Sequence, residues 1–323
     1  MGSGETAAEL SAADREALCL CRRAQRGAAL SAGALAELAA TARLAAAAGG
    51  DALRAHIGQL ERIREKGRAG DLVTEADEAA EAAVLAVLAE RTPGVGVLAE
   101  ESGRRAGSGD LEWCVDPLDG TTNYAHGFPF FATSVGLTWR GLPLLGALAA
   151  PALQQFFWAA PGLGAWCNDE PMRVSGTERL GESLLATGFA YDRHTRLDNN
   201  YAEFAWFTHR TRGVRRPGAA SVDLAYVAAG RLDGYWERGL SPWDLAAGIP
   251  LVELSGGLVC SYDGSPLELS SGRLIACTPG MLGPLRQGLA SCSPLPGASY
   301  GAPELDQAAA VQNAAPEGRR GDP

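Results

Sequence analysis

Asp116 and Asp119 lie three residues apart in Asp116-Pro117-Leu118-Asp119-Gly120-Thr121-Thr122-Asn123, directly after the apolar run EWCV. Asp-Pro and Asp-Gly are both turn dipeptides, so one reading is a turn and nothing more. The other is chemical. Two carboxylates at a strand end, with a proline fixing the bend and a free backbone carbonyl between them, form an oxygen-ligand site for a hard cation. Gly120, Thr121 and Thr122 add N–H groups and hydroxyls suited to an anion if a helix or turn begins there. Further carboxylates stand at the ends of other runs. Glu100-Glu101 close the run VGVLA just before Ser102, a position that is either solvated surface or the functional end of a sheet. Asp71 and Asp77 flank Leu72-Val73-Thr74, where helix capping is the plain alternative, and Asp244 follows Trp243 at a helix start, where an N-terminal cap is. Lys66 is the only lysine among 28 basic side chains.

Crowded carboxylates repel by roughly 4 kcal/mol per pair at about 4 Å and an effective dielectric of about 20. Several such pairs would rival a whole domain's stability of about 5–15 kcal/mol. A cluster of this kind therefore needs cations, or protons on carboxyls of raised pKa. Other chemistries lack their residues. There is no H-E-x-x-H, G-x-S-x-G or G-x-x-x-x-G-K, and His56, His126, His194 and His209 show no ligand spacing. Gly94-x-Gly96 follows a helical run rather than a strand and makes a poor dinucleotide fingerprint.

The elements that must position these residues follow from periodicity. Residues 1–27 read as a polar, Ala-rich extension. An amphipathic helix is expected over 33–48, stopped by Gly49-Gly50. Thr74 and Asp77 form an S/T-x-x-D/E start for a helix through 91, ended by Thr92-Pro93-Gly94. Short β-type runs follow at 95–99, 112–115, 130–139, 144–150, 156–160 and 164–167, expected as an antiparallel meander. Beyond about Glu182 the pattern alternates. LLATGFA, DGYWE, GLVCSY and RLIACT read as strands, and NNYAEFAWFTHRT, ASVDLAYVAAG and DLAAGIPLVELSG as helices. The division expected is 28–182 as an antiparallel-sheet half with most of the acidic site, 183–291 as an α/β half, and 292–323 as a disordered tail.

Taken together, four ordered motifs resemble the inositol monophosphatase family, part of the fructose-1,6-bisphosphatase-like superfamily of metal-dependent phosphatases. They are DLVTEAD at 71–77, AEES at 99–102, DPLDGTTNY at 116–124 and SPWDLAAG at 241–248. The resemblance spans roughly residues 31–290. It implies an α/β (α+β) fold, a layered αβαβα sandwich with the site between the two halves. It also implies two or three Mg²⁺ ions. Glu100, Asp116 and the Leu118 carbonyl would hold the first, Asp116, Asp119 and Asp244 the second, and Glu100 with water a weaker third. Thr121 and Asp77 would orient and deprotonate the attacking water, with Glu100 and Lys66 also in the catalytic set, and Gly120 and Thr121 N–H groups would hold phosphate. Ala220, Glu237 and Asp244 would meet the substrate. Three departures stand out. Ala99 replaces the family's glycine before the Glu pair; Gly218-Ala219-Ala220-Ser221 has a hydroxyl displaced or lost; and Ser241 stands where animal members carry histidine.

A metal pair suits phosphate monoesters, whose hydrolysis is among the slowest uncatalysed reactions and needs accelerations approaching ~10²¹. The expected activity is Mg²⁺-dependent, lithium-sensitive hydrolysis of inositol monophosphate or a similar small polyol phosphate by metal-activated water. Thr122-Asn123-Tyr124 favours the inositol branch over histidinol-phosphate relatives; a nucleotide 3′-phosphate phosphatase is a further alternative on the same fold. The rival from another class is a non-catalytic RNA- or protein-binding regulator. A net charge of −10 opposes nucleic acid. No apolar run is long and uncharged enough to span a membrane, seven scattered cysteines form no C-x-x-C pair, and no targeting signal is legible, so a cytoplasmic protein is expected. A homodimer is expected from the family alone.

Overall fold

The structure, a computed structural model, describes residues 16–59, 63–65 and 72–294. Helix α1 (Leu20–Ala28) leads into the long α2 (Ala32–His56), then the paired strands β1 (Ile63–Glu65) and β2 (Leu72–Thr74), and α3 (Glu75–Arg91). Next come β3 (Gly96–Ala99), β4 (Gly103–Arg105), β5 (Leu111–Asp119) and the single-turn α4 (Thr121–Ala125). A run of strands follows: β6 (Ala132–Trp139), β7 (Leu142–Ala150), β8 (Gln155–Ala160), β9 (Gly164–Cys167) and β10 (Glu170–Pro171). The remainder alternates: β11 (Leu184–Thr187), α5 (Tyr201–Thr208), β12 (Gly213–Arg215), α6 (Ala220–Ala228), β13 (Gly234–Arg238), α7 (Pro242–Leu245), α8 (Gly248–Leu254), β14 (Leu258–Cys260), β15 (Arg273–Cys277) and α9 (Leu282–Ser291).

Strands β10-β9-β8-β7-β6-β5-β3-β4 form one sheet and β12-β11-β13-β15-β14 a second. Successive side chains of a strand point to opposite faces, and burial on both faces sets the layers. Trp113, Val115, Val135 and Ala147 pack with Leu35, Ala42, Val84 and Leu88 of α2 and α3. Cys114, Leu148 and Phe157 turn the other way and pack with Leu224, Ala225, Ile249 and Leu251 of α6 and α8, which also meet Tyr235, Leu274 and Ala276 of the second sheet. Trp236, Ile275 and Cys277 face out under Phe207 of α5 and Leu285 and Leu289 of α9. The result is the layered αβαβα sandwich. Asp116 shares the face of Cys114, so the main acidic strand points into the middle layer.

Several expectations need correcting. The helix beginning at Ala32 does not stop at Gly49-Gly50 but continues to His56. The two glycines are contact points instead: a Cβ on Gly49 would lie 2.5 Å from the Thr133 side chain, and one on Gly50 2.7 Å from that of Ala149. The strands are not all antiparallel, because β3 pairs with β5 in parallel. The chain between them first folds back as β4, whose arginines blunt the sheet edge. The helix expected over DLAAGIPLVELSG breaks into α7 and α8. Ala246-Ala247 at the break press onto the sheet at two facing glycines; a Cβ on Gly136 would lie 2.5 Å from the Ala246 carbonyl carbon, and one on Gly146 2.4 Å from the Ala247 Cα. Two helices escaped the sequence reading, α1 and α9. Helix α1 falls in the stretch read as an extension, yet Leu20, Cys21 and Ala24 are buried, and the Leu20 and Cys21 N–H groups donate to the Glu253 carboxylate at 2.9 and 2.8 Å.

Candidate active site

The start of α3 is a capping box. Thr74 donates to Asp77 Oδ2 through its N–H (2.8 Å) and its hydroxyl (2.7 Å), and the Thr74 hydroxyl oxygen accepts from the Ala76 N–H at 3.2 Å. The cap expected for Thr74 is therefore present, and it has a second use. With Oδ2 committed to Thr74, Asp77 Oδ1 lies 3.2 Å from Thr121 Oγ1, itself 3.0 Å from the Leu118 carbonyl. A hydroxyl has one proton, so Thr121 can donate to Asp77 or to Leu118 but not to both. Asp77 and Thr121 are both buried.

The end of β5 delivers the next ligand candidates. Its pairing with β6 shifts register between Asp116 and Asp119, and this irregularity turns both carboxylates to one side. The Leu118 N–H donates to Asp116 Oδ1 at 3.0 Å, and the Thr133 hydroxyl donates to the Pro117 carbonyl at 2.9 Å, so the turn is held from within and from β6. Gly120 then adopts φ +94°, where a side chain would be strained, and its Cα faces the Phe130 carbonyl. The Asn123 amide ties this turn to both the Phe130 and Pro217 carbonyls, at 2.7 and 2.8 Å.

From the other half, α7 presents Asp244, oriented by the Ser241 N–H, which donates to its Oδ2 at 2.7 Å. Oxygens of Asp116, Asp119 and Asp244 lie within 4.8 Å of one another. Glu100, at the end of β3, donates its own N–H to the Val115 carbonyl, and its charge acts on Asp116. The electrostatics are those of a crowded, largely buried acidic corner. Burial, then the charges of Glu100, Asp119 and Asp244, push the Asp116 carboxyl well above the usual range. Burial, then Asp119 and Glu100, does the same for Asp244. Asp119 is raised less, to about 6, because the Ser221 hydroxyl and N–H oppose the cost of burial. Hard anionic oxygens at this spacing fit a small divalent cation, whose charge would remove the repulsion.

The substrate-side candidates lie across the middle layer. Ala220 opens α6 and is buried. Glu237, next to last in β13, accepts a hydrogen bond from the Tyr235 hydroxyl, and is raised to about 7 by burial. Lys66 and Asp71 lie outside the described residues. Three participants were not singled out from the sequence. Glu81 on α3 accepts the N–H groups of Glu101 and Ser102, each at 3.0 Å, and so pins the turn that carries Glu100. Asp223 on α6 is 1% exposed with Oδ1 unpartnered, and burial, then Glu237, pushes its carboxyl well up. Ser221 binds Asp119 directly. A carboxylate on the buried face of a helix, as at 81 and 223, is the one sequence signal that marked two of them.

The sequence model of the inositol monophosphatase family matches residues 34–292. The chain belongs to the inositol monophosphatase family. Relatives agree. An inositol-1-monophosphatase from Synechocystis sp. is 53% identical over 236 residues, 72% of this chain and 82% of that protein. A Nus factor SuhB from Pseudomonas aeruginosa is 46% identical over 214 residues, 64% of this chain and 79% of that protein. The solved inositol monophosphatase of Anabaena superposes with a TM-score of 0.75 at 45% identity, covering 81% of this chain and 98% of the other. The chain is accordingly a phosphatase of this family, with the family's fold. Among the described residues no helix is long and apolar enough to cross a membrane.

Proposed function

We propose that the protein hydrolyses inositol monophosphate, or a closely similar small polyol phosphate, with Mg²⁺ as its cofactor. The observation that carries this is the convergence of Asp116, Asp119 and Asp244 within 4.8 Å beside the Asp77–Thr121 pair. Bound at that cluster, Mg²⁺ would supply an activated water and neutralise charge on the leaving alkoxide. Glu100, Asp116 and the Leu118 carbonyl would hold one ion, and Asp116, Asp119 and Asp244 the other. The chain's own residues do the rest. Asp77, fixed by Thr74, draws the Thr121 proton toward Oδ1, so the Thr121 oxygen accepts a proton from the attacking water as its own passes to the carboxylate. The Gly120 and Thr121 N–H groups, at the start of α4, serve the phosphate oxygens. Glu237, kept in place by Tyr235, accepts a hydroxyl of the polyol.

The likeness to a Nus factor favours a second reading, a regulator that binds a partner rather than a substrate. The acidic net charge of −10 counts against RNA as that partner. The test is phosphate release from inositol 1-phosphate, histidinol phosphate and adenosine 3′,5′-bisphosphate, with Mg²⁺, with EDTA, and with millimolar Li⁺ added. Release that is fastest on inositol 1-phosphate, abolished by EDTA and reduced by Li⁺ is expected. A preference for either other ester overturns the substrate class, and no release from any of them leaves the regulator as the better account.

A further inference from the structure

Ser221 is fully buried in the first turn of α6, yet both of its donors point at the end of β5, 102 residues earlier in the chain. Its N–H donates to Asp119 Oδ2 at 2.7 Å and its hydroxyl to the same oxygen at 2.5 Å. A carboxylate oxygen has about two lone-pair sites. Both Ser221 bonds thus converge on Oδ2, and the Ala220 N–H adds a further backbone bond to the same carboxylate from the start of α6. The O–H···O contact lies in the range of charge-assisted hydrogen bonds, the strong kind. The hydroxyl that this chain lacks at Ala219 and Ala220 thus stands one residue further on and serves a carboxylate.

We propose that Ser221 is a positioning residue that orients Asp119 and so sets the affinity of one of two cation positions, the one bounded by Asp119 and Asp244, independently of the other. The inference rests on the metal-dependent reading given above and adds to it a division of labour. The position bounded by Glu100 and Asp116 has separate supports. Leu118 N–H holds Asp116, Glu81 holds the turn after Glu100, and neither involves α6. Asp119 alone among the three clustered aspartates takes a side-chain hydroxyl from the second half of the chain. Its orientation therefore depends on how α6 sits against β5, whereas that of Asp116 depends on β5 and its neighbours. Carboxylate geometry matters to a small cation that demands near-ideal angles and bonds, so a freely turning Asp119 would weaken the second position first.

Mn²⁺ binding to the metal-stripped protein, followed by electron paramagnetic resonance of the free ion, tests this without recourse to catalysis. Wild type is expected to show two classes of Mn²⁺. Ser221→Ala removes the hydroxyl and keeps the N–H bond. It should leave the tighter class unchanged and weaken the other roughly tenfold, the scale of one hydrogen bond to a charged group. Ser221→Cys keeps the volume with only a weak donor and should weaken the same class, which separates orientation from packing. Thermal melting of the metal-free variants reports separately on the fold. Equal weakening of both classes, or no change in either with wild type binding two, overturns this inference alone. Wild type that binds no Mn²⁺ overturns both it and the reading on which it rests.

Discussion

Asp116 and Asp119 come from one strand end, Asp116 steered by the Leu118 N–H two residues on, whereas Glu237 and Asp223 come from β13 and α6 and meet only because the second sheet and the middle helices stack. The acidic corner is thus written locally and completed at a distance by Asp244 and Ser221. The corner around Glu237 is assembled almost wholly by packing. The first carries charge that must be neutralised, with Asp116 and Asp244 pushed well up by burial and by neighbouring carboxylates. In the second, burial raises Glu237 to about 7 even against the hydrogen bond from Tyr235. On the proposed reading, binding a cation and choosing an alcohol are separable properties, and variants should separate them.

The largest effect is expected from Asp116→Asn, which removes the carboxylate common to both proposed cation positions. Metal stabilisation of charge amounts to several kcal/mol, so phosphate release should fall by roughly 10³-fold or more, on every ester alike. A fall on inositol 1-phosphate alone would erase the distinction between the two corners. Thr121→Val comes next. It removes the hydroxyl poised between Asp77 and Leu118 and should lower kcat by roughly 10²-fold or more, the scale of lost general acid–base assistance, with KM little changed. An unaltered kcat would show that Thr121 serves the turn only.

Glu237→Gln should act in the opposite sense. KM for inositol 1-phosphate should rise roughly ten- to a hundredfold, the worth of a hydrogen bond to a charged group, while glycerol 2-phosphate is hardly affected. Equal losses on both would place Glu237 with the acidic corner. The smallest effect concerns stability. The folded protein raises Asp119 from an ordinary 3.8 to about 6 and Glu237 from 4.5 to about 7. The folded state thus holds protons that the unfolded chain releases, and this contribution is complete below about pH 4 and lost as pH rises through 6 and 7. For the metal-free protein, Tm should therefore decline between pH 5 and pH 8, and Mg²⁺ should raise Tm more at pH 8 than at pH 5. A metal-free Tm that climbs over that interval would contradict the buried-proton account.

What could be read from the sequence follows the same division. Thr74 and Asp77 announce a helix start because a capping box is a local pattern, and the turn at Asp116 to Gly120 shows in its dipeptides. Both depend on bonds spanning only a few residues. Gly49 and Gly50 read locally as a helix stop, whereas the sheet beneath α2 needs that space for close approach. The parallel pairing of β3 with β5 was hidden because strand direction depends on a crossover, not on residue types. Glu81 and Ser221 could not be assigned roles, since each acts on an element far along the chain. Helix α1 is not legible locally because its first N–H groups are satisfied by Glu253, which lies more than two hundred residues away. Lys66 and Asp71, both part of the motif reading, lie outside the described residues.

The central claim is that the carboxylates at the end of β5 and the start of α7 hold divalent metal. Calorimetric titration of Mg²⁺ into metal-stripped wild type and Asp116→Asn, at a pH near 7.5, tests it most directly. Saturable binding in wild type that is lost in Asp116→Asn, with both proteins folded by circular dichroism, is the result expected. Binding that is absent from wild type, or equal in the two proteins, would contradict the account.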